Sequence, residues 1–176
     1  MKITKTSIIF LLITLVPVFY AYNYFGGSRL NKDQVIEQVM HYAMSDITKR
    51  CQKDFGYSDA DIAILEKELK RYLILAIVAN NDSDGFGMYS KDVDNLWHSF
   101  ILFTKNYSSF CDKYRGKFIH HNPRTDEMQT VKQRAEARQN LCNFIKMYEE
   151  IFEEEIHPVW VLDICENLEP TENIIV

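Results

Sequence analysis

The chain has 176 residues, 47% of them hydrophobic and 26% charged, with only 6 Gly and 4 Pro. That balance excludes a disordered chain and a turn-dense all-β fold, and beyond the first thirty residues it leaves about one domain's worth of sequence. A formal net charge of -5, from 20 Lys and Arg against 25 Asp and Glu, argues against nucleic acid as a partner, which would need clustered cations to neutralise phosphates.

Lys2 and Lys5 precede an uncharged, largely apolar run from Ser7 to Phe25, and the next charge is Arg29. A run near the ~20 residues that cross a bilayer, with Tyr20, Tyr22 and Tyr24 suited to head-group level, predicts a transmembrane helix. No small-x-small cleavage pattern follows it, so residues 1–30 read as an uncleaved single-pass anchor, with the membrane as partner. Positive charge before and after the run differs little and leans towards a domain on the periplasmic or extracytoplasmic side.

Residues 31–176 read as a single helical domain, and the fold class is all-α, a compact bundle of about five helices. Asn31 opens a first helix through Val35, Ile36, Val39, Met40, Ala43 and Ile47, which ends near Phe55 and Gly56. Ser58 with Asp61 three residues on starts a second, whose buried side is Ile62, Leu65, Leu69, Tyr72, Leu73, Ala76 and Ile77. It is apolar almost all round from Tyr72 to Ala79, which predicts a central position. Residues 80–87 form a loop. Asn80, Asp82, Asp84 and Gly85 fall at the first, third, fifth and sixth positions of a calcium loop, but Lys91 stands where the twelfth needs a bidentate Glu, so an Asx-turn connector is expected.

Helices then follow from about Ser90 to Phe103 and from about Thr104 to Arg115, with Thr104 as a cap and Gly116 as the terminating glycine. Thr125 opens the longest helix, which His157 and Pro158 stop, and residues 159–168 add a final turn. Glu149, Glu150, Glu153, Glu154 and Glu155 read as a solvated face, and His41 and His157 as lone histidines. Cys51, Cys111, Cys142 and Cys165 show no C-x-x-C and allow three pairings if oxidised.

The candidate site lies between Gly87 and Pro123. Asp94 and His98 are four apart and share a helix face, where a carboxylate can fix an imidazole tautomer or join it on a metal. Val93, Trp97, Phe100 and Ile101 form the adjoining inward stripe. Tyr107, Phe110, Cys111 and Tyr114 recur at three and four, which puts the Cys111 sulfur on the apolar side. Gly116 lets the chain turn back and carry His120 and His121 towards these helices. If they converge, His98, Cys111 and His120 or His121, with Asp94 nearby, form a ligand set suited to zinc or iron. The alternative is a staple, in which Trp97 and the histidines exchange hydrogen bonds with the returning backbone.

S-K-D-V-D-N-L-W-H-S-F-I-L-F-T-K-N-Y-S-S-F-C and G-K-F-I-H-H-N-P resemble the signature of a family of uncharacterised bacterial proteins, V-D-x-x-W-H-x-F-I-L-x-T-x-x-Y-x-x-F-C with F-x-H-H-x-P. The D-x-x-W-H part is similar to plant glycine-rich-domain-like proteins. The resemblance implies Asp94, Trp97, His98, Tyr107, Cys111, His120 and His121 as signature positions, and brings no activity with it. Three functions are expected to compete: a membrane-anchored binding or accessory module with a protein partner, a metal-binding protein or metalloenzyme using the His and Cys cluster, and a structural part of an envelope assembly. No complete catalytic constellation is visible in the sequence.

Overall fold

The computed structural model describes residues 30–79, 86–121 and 130–160. The chain divides into two units, Met1–Asn31 and Lys32–Val176, and of the first only Leu30 and Asn31 are described. The described residues are all-helical: α1 Lys32–Met40, α2 Ser45–Phe55, α3 Asp59–Val78, α4 Lys91–Leu102, α5 Thr104–Tyr114 and α6 Val131–Phe152.

Among the described residues no helix is long and apolar enough to cross a membrane. This overturns the expectation of a single-pass membrane protein with an extracytoplasmic domain. The two longest helices are interrupted by charge: α3 carries Asp59, Asp61, Glu66, Lys67, Glu68, Lys70 and Arg71 within its 20 residues. The anchor expected over 1–30 lies outside the described residues apart from Leu30, as do the Asp-rich loop at 80–85 and residues 161–168.

The central helix is α3, which packs against α1, α2, α4 and α6. Leu69, Leu73, Ile74 and Leu75 are wholly enclosed there. Its start is set by a capping box: Ser58 Oγ accepts the Asp61 amide at 3.1 Å, and Asp61 accepts the Ser58 amide at 3.4 Å. Both satisfy amides that helix geometry leaves without partners. Ser58→Ala is therefore expected to lower stability by about 1 kcal/mol, and Ser58→Asn by much less, in paired urea unfolding curves.

The expected single helix over 31–55 is two. Tyr42 leaves the helical path to put its ring 5.1 Å from that of Phe110 and 5.8 Å from that of Phe100, and Met44 is buried. Lys70 Nζ donates to the Met40 carbonyl at 3.1 Å, satisfying an acceptor that the end of α1 exposes. Phe103, rather than Thr104, occupies the cap position between α4 and α5 and makes no side-chain cap. Gly116 does close α5, at φ 74°, its amide donating to the Cys111 carbonyl at 3.0 Å.

The last described helix opens at Thr130, not Thr125, whose own position lies outside the described residues; Thr130 Oγ1 accepts the Gln133 amide at 3.2 Å. It stops at Phe152, where Glu153 adopts left-handed φ 52° and sends the chain back over α3. That reversal makes Glu154 part of an ion-pair network instead of a purely solvated face. Glu154 accepts Arg71 Nη2 at 2.7 Å and Lys67 Nζ at 3.2 Å. These cations hold its carboxyl below the usual carboxylate range. Beneath it Glu68, 1% exposed, accepts Trp160 Nε1 at 2.7 Å and the Tyr148 hydroxyl at 2.9 Å. Arg71 Nη1 donates to the same hydroxyl and lies 3.5 Å from Glu68.

Candidate functional site

Ser90 fixes where α4 begins, its hydroxyl accepting the Val93 amide at 3.3 Å. Asp94 therefore lies in the first turn, where the helix dipole favours a carboxylate, and His98 stands one turn further along the same face. Val93, Leu96, Trp97 and Phe100 turn inward. After α5 and Gly116 the chain returns without helical structure as far as His121.

In that return, side chains alternate. Ile119 is 3% exposed and His121 also faces in, its side chain 9% exposed, whereas Phe118 and His120 face out. The structure thus separates the two adjacent histidines. His121 Nε2 and Asp94 Oδ1 are 2.6 Å apart, and His98 Nε2 lies 3.7 Å from Asp94 Oδ2. The first is a hydrogen bond; the second is too long to be one. The imidazole rings of His98 and His121 meet with centroids 4.5 Å apart. One ligand atom from each of Asp94, His98 and His121 lies within 4.8 Å of the others. His98 remains 49% exposed, so the cluster opens to solvent on that side.

Cys111 and His120 do not join this cluster among the described residues. His120 packs its ring 5.1 Å from Phe118. Cys111 is fully enclosed, its thiol lying beside Tyr107 and the Ile119 backbone. Of the residues expected to converge, Asp94, His98 and His121 come together, while Cys111 and His120 lie apart from them. The physical reason is that the apolar side of α5 faces Ile119 and Phe100, whereas the histidines meet on the solvent edge of α4.

A staple exists beside the cluster. Trp97 Nε1 donates to the Tyr107 hydroxyl at 3.1 Å, and that hydroxyl donates to the Ile119 carbonyl at 2.6 Å. Burial pushes the Tyr107 phenol far above its ordinary range, so it stays protonated as a donor. Trp97 also sets the edge of its ring against His121, with centroids 4.5 Å apart. The hydrogen-bonded staple and the His–Asp cluster are therefore side by side.

His41 and His157 lie outside the cluster and have local partners: His41 Nδ1 is 2.8 Å from the Glu37 carbonyl, and His157 Nδ1 accepts the Val159 amide at 3.1 Å. A family model described as UCP032817-like matches residues 31–164. The chain belongs to the UCP032817-like family. No curated protein and no solved structure matches it. The matched span of this UCP032817-like chain contains all of Asp94, Trp97, His98, Tyr107, Cys111, His120 and His121.

No thiol joins the cluster among the described residues. Cys51 and Cys111 are free and buried, Cys142 is disulfide-bonded, and burial raises the pKa of both free thiols. Since the thiolate is the reactive form, both should resist a thiol reagent in the folded domain and react once urea unfolds it. Rapid labelling of Cys111 without unfolding would contradict the enclosed position assigned to it.

Proposed function

We propose that this domain is a metal-binding module that holds one divalent transition-metal ion, zinc or iron(II), through Asp94, His98 and His121. The observation that carries the reading is the convergence of two imidazoles and a carboxylate within 4.8 Å. Imidazole suits zinc and iron, and carboxylate oxygen completes a borderline donor set without sulfur. Three protein ligands leave coordination positions free, and the half-exposed His98 supplies access to them. The expected binding module thereby acquires a specific ligand.

The short Asp94–His121 contact fits this role. Metal–ligand bonds of about 2.1 Å set neighbouring donor atoms about 3.0–3.4 Å apart, so the 2.6 Å pair must open by about half an ångström. The hydrogen held between them leaves as a metal enters.

The test is calorimetric titration of the full chain, purified and stripped of metal, with zinc chloride. One equivalent should bind, and the unfolding midpoint should rise with zinc concentration, as for any ligand that prefers the folded state. Absence of binding at millimolar zinc would remove the reading.

A further inference from the structure

We infer that Tyr107, acting with Trp97 and Cys111, is a positioning residue for the metal-binding centre: it fixes residues 119–121 so that His121 meets Asp94 and His98. The inference rests on the metal reading above and adds residues that supply no ligand atom themselves.

The returning segment has no helix or strand to organise it, so its backbone polar groups need partners from elsewhere. Ile119 receives them from one face of α5. Its carbonyl accepts the Tyr107 hydroxyl at 2.6 Å, and the buried Cys111 thiol packs beside it. The hydroxyl is itself oriented, because it accepts from Trp97 Nε1 at 3.1 Å and so has its own proton left for Ile119. Trp97 comes from the same turn of α4 as His98 and presses against the His121 ring. Two hydrogen-bonding side chains on two helices, with Cys111 packed beside them, thus fix the backbone two residues before a proposed ligand. Removing the hydroxyl leaves the Ile119 carbonyl and the indole N–H without that partner in a dry interior, and the return is free to shift. A return that is no longer held must be ordered when the metal binds, and that cost weakens coordination by His121. Outer partners of metal ligands typically contribute tenfold to a hundredfold in affinity.

The experiment compares the full chain with Tyr107→Phe, Cys111→Val and, as a control remote from the cluster, Tyr148→Phe. Cobalt(II) ion is the probe, read by affinity and visible absorption, and the His121 imidazole signals are followed by NMR in metal-free protein. Tyr107→Phe should weaken cobalt binding about tenfold, alter the cobalt spectrum and shift or broaden the His121 signals. Tyr148→Phe should lower stability and leave all three readouts at wild-type values. Wild-type cobalt affinity together with unmoved His121 signals in Tyr107→Phe would overturn the inference. Should Tyr107→Phe fail to fold, Cys111→Val takes its place: weakened cobalt binding with moved His121 signals supports the inference, and wild-type values for both overturn it. A wild-type chain that binds no cobalt, yet whose His121 signals move in Tyr107→Phe, removes the metal reading and supports the positioning role.

Discussion

Replacing Arg71 by Met is expected to destabilise the domain by about 3–5 kcal/mol, the largest loss foreseen for any single exposed or buried charge in the described residues. The reason is the company Arg71 keeps. Glu68 is 1% exposed on the central helix, and Arg71, 5% exposed, is the cation beside it at 3.5 Å. The guanidinium also donates to Tyr148 and Glu154, and stacks 4.9 Å from the Phe152 ring centroid. Met keeps most of the length and the apolar stem but leaves the Glu68 carboxyl in an enclosed site without a cation, with only the neutral Tyr148 and Trp160 donors. An uncompensated buried charge is what makes breaking such a pair so much worse than never having it. Urea unfolding should show the loss as a lowered midpoint with little change in slope. The double variant Glu68→Gln with Arg71→Met should regain part of it, because the neutral amide needs no cation and still offers an acceptor to Trp160. A double variant no more stable than Arg71→Met alone would show that the guanidinium acts through packing rather than charge.

His121→Ala should lower zinc affinity about 100-fold. Structural zinc sites bind with roughly 10–16 kcal/mol shared among four ligands, or about 3 kcal/mol for each. His120→Ala, by contrast, should change affinity by less than about twofold, because an outward-facing ring reaches no donor atom in the cluster. Competition against a chelator of known affinity measures both. The pair is informative because the two histidines are neighbours in the chain and chemically identical, and only the alternation of an extended backbone distinguishes them. Equal losses in the two variants would show that the return is not held in the observed register.

That alternation marks the limit of what the sequence disclosed about the site. Asp94 and His98 were legible as a pair, because a spacing of four on an evident helix fixes a shared face. His120 and His121 were not separable, since Phe118 and Ile119 are both apolar and either could have pointed inward. The inward side of Cys111 was legible from its spacing to Tyr107 and Tyr114. What faces that side was not, and it proved to be the Ile119 backbone.

The helices show the same division. The all-helical bundle, the central α3 and the glycine stop at Gly116 follow from period, caps and turn residues. The break between α1 and α2 does not, because Ala43 and Met44 suit a helix and the break is set by distant groups, the aromatic cluster around Tyr42 and the Lys70 ammonium. Glu153 was equally opaque. Glutamate favours helix and rarely adopts positive φ, and here the Glu154–Arg71 pair and the buried Trp160 hold the reversal in place.

The most direct test of the proposed centre is the zinc-edge X-ray absorption spectrum of the full chain loaded with one equivalent of zinc. Only nitrogen and oxygen neighbours at about 2.0–2.1 Å should appear, with the multiple-scattering pattern of two imidazoles, and the pattern should fall to one imidazole in His121→Ala. A sulfur neighbour at about 2.3 Å, which would bring a cysteine into the shell, or the spectrum of fully hydrated zinc, would contradict the assignment of Asp94, His98 and His121.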